Sequence, residues 1–105
     1  ANKGLDDIRQ KIKPALSFYK TEEAKHKASD KEGARLKHIC LYNMALANFW
    51  TEDFTAARAH AEAIKKFDPK DRDAKRLLEE IDYVVNSLQT NNRKSRHMVL
   101  GSDKS

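Results

Sequence analysis

The chain has few of the residues that break or brace a fold. Its 105 residues include 3 glycines and 2 prolines, which favours long helices joined by tight turns over a loop-rich architecture. The single cysteine, Cys40, excludes an internal disulfide and any multi-cysteine ligand set. No apolar run approaches the roughly 20 residues that span a bilayer. The opening "ANKGLDDIRQ" has no apolar core of a secretory signal. It also lacks an initiating methionine, so the chain is expected to be a piece of a longer or processed protein, with its compartment left open.

Catalytic patterns are equally scarce. There is no glycine-rich phosphate loop, and no Ser–His–Asp set can be argued. Glu79, Glu80 and Asp82 lie side by side on one predicted helix, whereas an acid–base pair needs carboxylates opposed across a cleft in unequal environments. The histidines are His26, His38, His60 and His97. No two of them have the i,i+4 spacing of a helical metal site, and none stands at ligand spacing from Cys40. Neither a metal, nor a cofactor, nor an enzymatic activity is expected from these residues.

What the chain does carry is charge and helical period. Charged residues make up 35% and hydrophobic residues 39%, with a net charge of +5. Residues 1–38 hold 10 basic and 6 acidic side chains, residues 39–90 hold 7 and 9, and residues 91–105 hold 4 and 1. The basic excess therefore sits at the two ends, where a phosphate-tracking groove would instead gather it on one built surface. This argues against nucleic acid as the main partner and leaves weak binding through the basic ends as a subsidiary reading.

Four helices follow from the apolar spacing. Leu5, Ile8, Ile12, Leu16 and Tyr19 recur in steps of three and four. Pro14 interrupts them, and proline suits a first turn better than an interior. The first main helix is therefore expected to start near Pro14 and fade near Lys27, with residues 5–12 as a short preceding turn or helix. Ser29 and Glu32 have the spacing of a capping box, opening a second helix to about Trp50. Asp53 or Thr51 can cap a third from Phe54 to about Phe67. Pro69 stops it, and Asp71 can cap a fourth over about 71–89. Its apolar stripe is Ala74, Leu77, Leu78, Ile81, Val84, Val85 and Leu88. Residues 91–105 lose all period and read as a disordered basic tail. The expected fold is thus an all-α domain over residues 1–90 with four main antiparallel helices.

Alanines recur inside the second and third helices, at Ala45, Ala57 and Ala61. Side-chain size at a helix crossing sets the axial separation within about 8–10 Å, and alanine on both helices brings a pair to the short end. Residues 38–71 resemble a tetratricopeptide repeat, a helix–turn–helix unit of about 34 residues. Leu41 and Met44 fall on large positions, Ala45 and Ala57 on small ones, Phe54 on the aromatic one, and Phe67-Asp68-Pro69 on the closing motif. No gap is needed. Residues 72–86 resemble the start of a further repeat, and residues 5–37 match none. Three departures are Asn48 at a usually aromatic position, Glu52 at the usual turn glycine, and an Ala61/Ile64 exchange of volumes along one helix.

The resemblance implies a non-catalytic module that binds another polypeptide on its concave face. The residues it assigns to that face are Ile39, Tyr42, Leu46 and Phe49, then Asp73, Arg76, Glu80 and Tyr83. Such a groove would take an extended or helical segment with an apolar side and a charged end. The aromatic group has a second reading, as core covered by the first helix. In that case the module would be a structural or self-packing unit with no free ligand. A monomer is the expectation, and the partner's identity is open.

Overall fold

A computed structural model describes the backbone over residues 3–104 and the side chains over residues 4–91. Its secondary structure is helical throughout: α1 is Lys3–Ala24, α2 Lys31–Trp50, α3 Phe54–Phe67 and α4 Arg72–Lys104. No strand occurs among the described residues, and none of their helices is long and apolar enough to cross a membrane. The helices pack in chain order, α1 on α2, α2 on α3 and α3 on α4, with a sparser approach of α2 to α4.

α1 differs from expectation. It is one continuous helix from Lys3 with Pro14 inside it. Pro14 is exposed, so its ring points to water and solvent can serve the carbonyl that loses its intrahelical donor. Leu5, Ile12, Leu16 and Tyr19 are half-buried, and a single helix keeps these side chains in phase. Two basic side chains hold its ends. The Arg9 Nε donates to the Thr51 carbonyl at the end of α2, at 2.9 Å. The Lys37 Nζ donates to the Glu23 carbonyl near the end of α1, at 3.0 Å, and lies 3.3 Å from the Glu23 carboxylate. Each cation meets the free carbonyls and negative dipole end of the opposite helix, which sets the pair antiparallel.

α2 starts one residue later than the Ser29 box implies. Asp30 is its N-cap and accepts from the Gly33 amide at 3.1 Å. Gly33 is buried, and a Cβ there would stand 2.2 Å from the Lys27 carbonyl oxygen. The glycine thus lets the α1–α2 connection lie directly on the first turn of α2. At the other end, Thr51 is the C-cap. Asp53 N–H donates to Asn48 C=O (2.8 Å) and Glu52 N–H to Phe49 C=O (3.0 Å). That is the paired bonding of a Schellman motif, with Glu52 in the left-handed position at φ 62°. Asp53 then caps α3 by accepting from Ala56, and Asp71 caps α4 by accepting from Ala74 at 2.8 Å.

The core has two parts. Ala45 of α2 and Ala57 and Ala61 of α3, all fully buried, pack with Leu77 and Ile81 of α4. Leu41, Met44, Ile64 and Ala74 form the second cluster, with Leu16 and Tyr19 of α1 against it. The alanines keep α2 and α3 close, and the larger Ile64 fills the space one turn along from Ala61. Asn48 is buried without an aromatic's bulk and instead pairs with the His60 Nδ1 across the hairpin at 2.8 Å. α4 continues as helical backbone to Lys104, beyond the expected end near Gln89. Over 91–104 the backbone is thus helical where the sequence predicts a disordered tail, and side chains from residue 92 on lie outside the described residues.

Candidate partner-binding face

The steps from Ile39 to Tyr42, Leu46 and Phe49 are three, four and three, which places them on one stripe of α2. Asp73, Arg76, Glu80 and Tyr83 repeat these steps on α4. The structure puts Tyr42, Leu46 and Phe49 in a half-buried state, while Ile39 is 39% exposed. Asp73, Arg76 and Glu80 are exposed, and Tyr83 is 73% exposed. The stripe is thus apolar and partly covered on α2, charged and open on α4.

Local contacts orient each aromatic. Tyr42 stacks on His38, with ring centroids 5.9 Å apart and planes 13° from parallel. Phe49 meets Phe54 edge-on at 5.8 Å. Leu46, Tyr42 and Phe49 all pack against the alanine cluster. Burial raises the Tyr42 phenol above its ordinary value. Asp73, Glu80 and Asp71 push it the same way, and Arg76 opposes them. The hydroxyl end of Tyr42 therefore lies within the electrostatic reach of the charged stripe on α4.

α1 meets α2 around Leu41 and Met44. A cleft of about 560 Å³ opens beside that contact, bordered by Leu16, Lys20, Met44, Asn48 and His60 among others. The buried stripe of α4, Ala74, Leu77 and Ile81, is covered by the described helices. Leu88 at 46% and Tyr83 remain open on α4, and Trp50, at 77%, projects from the end of α2.

One cluster has no counterpart in the sequence reading. His38 of α2 stands over the start of α4, with its Nε2 3.0 Å from an Asp71 oxygen and 3.9 Å from an Asp73 oxygen. The two aspartates lie 33 and 35 residues along the chain from His38, so no local spacing could show the cluster. Only the α2–α3–α4 path brings them together. Beside them an open cleft of about 390 Å³ is bordered by Lys31, Arg35, Ile39, Phe67 and Asp68 among others.

Comparison with family models, curated proteins and solved structures found no match to this chain.

Proposed function

We propose that the chain is a tetratricopeptide-like helical module that binds a polypeptide segment along the α2–α4 face and performs no catalysis. The observation that carries this reading is the state of Tyr42, Leu46 and Phe49. They lie on one stripe, half-buried and not sealed into the core, beside an exposed charged stripe that includes Arg76. Large side chains next to an orienting charge are the usual source of binding energy at such a face. The close alanine crossing and the left-handed turn at Glu52 support the repeat register on which the assignment rests. Nucleic acid is no part of the proposal. Five cations of the basic N-terminal third, Arg9, Lys11, Lys25, Arg35 and Lys37, each have a carboxylate within 4 Å.

The test is a peptide array of extended and helical segments with one apolar side and a charged end. It is probed with the parent chain and with Tyr42→Ala and Arg76→Ala. The expected result is a subset of peptides retained by the parent and lost by both variants, with helicity by circular dichroism unchanged. Retention that is the same for all three proteins overturns the face assignment.

A second reading is favoured by a different observation. Ile8 and Phe18 on α1 and Trp50 on α2 are exposed at 48%, 51% and 77%, which suits packing against another domain or a second copy. Sedimentation across a concentration series, with Trp50→Ser as the comparison, decides between self-association and a monomer.

A further inference from the structure

We propose that His38, Asp71 and Asp73 form a binding site for a divalent metal ion of the zinc class. The site shares Asp73 with the proposed peptide-binding face and does not depend on that reading. One imidazole nitrogen and one oxygen from each of the two carboxylates lie within 4.8 Å of one another. Nitrogen and oxygen ligands at about 2.0–2.2 Å from one zinc ion sit roughly 3–4 Å apart, and the His38 Nε2 lies 3.0 and 3.9 Å from its two carboxylate neighbours.

The second observation is the state of the His38 nitrogen. Nε2 is shut off from solvent and has no hydrogen-bond partner, although an Asp71 oxygen is only 3.0 Å away. That oxygen is close but off the line a hydrogen bond requires. A hydrogen-bond acceptor sits on the axis of the ring nitrogen. A second ligand of a shared metal sits well off that axis, because the ion occupies it. The orphaned nitrogen beside two carboxylates is therefore arranged as a ligand set.

The surroundings fit a cation with open coordination positions. His38 is 24% and Asp71 14% exposed, while Asp73 at 55% faces water. Solvent can therefore complete the coordination shell. Stacking on Tyr42 fixes the His38 ring, and the Asp71 carboxylate is held by its other oxygen, which caps α4. Such outer contacts orient ligands before the ion arrives. Two features oppose a cation, the positive end of the α4 dipole and Lys31 in the adjoining cleft. Arg35, also there, is already paired with Glu32. Asp68, Asp71 and Asp73 together place three carboxylates against them. The mixed nitrogen and oxygen set favours zinc over calcium or magnesium, which take six or more oxygens. A bound ion would tie α2 to α4 where these helices approach only sparsely.

The experiment titrates zinc ion into the full chain, with calorimetry for stoichiometry and thermal melting for linkage. Long-range nitrogen–proton spectra of the imidazoles report which histidine moves. The expected result is one ion per chain and a shift confined to the His38 ring. The midpoint should rise by roughly 10 °C at free zinc a hundredfold above the dissociation constant. Asp73→Asn should weaken binding at least tenfold while lowering the metal-free midpoint by only a few degrees, since Asp73 is exposed and caps nothing but lies in the first turn of α4. His38→Gln should abolish binding. No binding by the parent chain, or binding that persists unchanged in both variants, overturns the proposal. A shift at the His60 ring instead of His38 does the same.

Discussion

Replacing Glu52 by glycine should make the protein more stable, although it removes a side chain and adds nothing. Glu52 is the non-glycine residue with positive φ among the described residues, at 62°. Its side chain is exposed, so little is lost by truncation. The left-handed conformation costs an L-residue about 1–2 kcal/mol. Glycine avoids that cost but adds unfolded-state entropy worth about 0.5–1 kcal/mol. The difference leaves Glu52→Gly more stable by about 0.5–1 kcal/mol. The turn's bonds from Glu52 N–H to Phe49 and from Asp53 N–H to Asn48 are kept, because they use backbone only. At about 4–8 °C per kcal/mol for a domain of this size, thermal melting should rise by several degrees. Glu52→Ala is the control. It removes the same charge but keeps the Cβ and the strain, so it should stay within about 0.5 kcal/mol of the parent. If glycine lowers the midpoint, or if alanine raises it as much, backbone strain at Glu52 is not the operating cause.

Three further outcomes are expected. Gly33→Ala should lower the urea midpoint by an amount equivalent to about 1–3 kcal/mol, because the new methyl group would stand 2.2 Å from the Lys27 carbonyl; an unchanged midpoint would show that this approach is not present in solution. Ala57→Leu should cost about 1–3 kcal/mol by overpacking a fully buried crossing, and a parent-like urea melt would show that the α2–α3 contact does not run through Ala57. His60 should make stability fall on acidification. Burial lowers its folded-state value below the ordinary 6.5, with Lys20 adding to this and Glu23 and Asp53 opposing. The unfolded chain therefore takes up the proton first. The stabilisation is complete above the unfolded value and is lost as pH falls from there through the folded one. His60→Gln should show a shallower loss of urea stability between pH 7.5 and 5.5, and equal losses would refute the assignment.

The caps show where local reading worked and where it slipped. Asp71 is legible because an acid directly before an apolar-periodic run has few other uses, whereas Asp53 shares its candidacy for α3 with Thr51, which the structure places at the end of α2. Ser29 and Asp30 both satisfy the rule for α2, and the choice between them depends on how the α1–α2 connection lies on Gly33. Pro14 argues locally for a helix start. The helix runs through it because the ring faces water and the half-buried stripe is in phase on both sides. The proposed face divides in the same manner. Its stripes on α2 and α4 follow from spacing, whereas the half-buried state of Tyr42 and Phe49 depends on which flank of α2 receives α1.

By itself the sequence determines the number of helices, the approximate limits of α2 and α3, and the small residues at the α2–α3 crossing. All of these are written in spacings of three and four residues and in the punctuation of Asp, Gly and Pro, which act over one or two turns. The tertiary structure alone decides which distant groups meet. It puts Arg9 on the Thr51 carbonyl, Asn48 against His60, and His38 over Asp71 and Asp73. These contacts join residues 12 to 42 positions apart. Their geometry is set by helix crossing and by the direction in which each turn returns the chain, and neither quantity has a local signature.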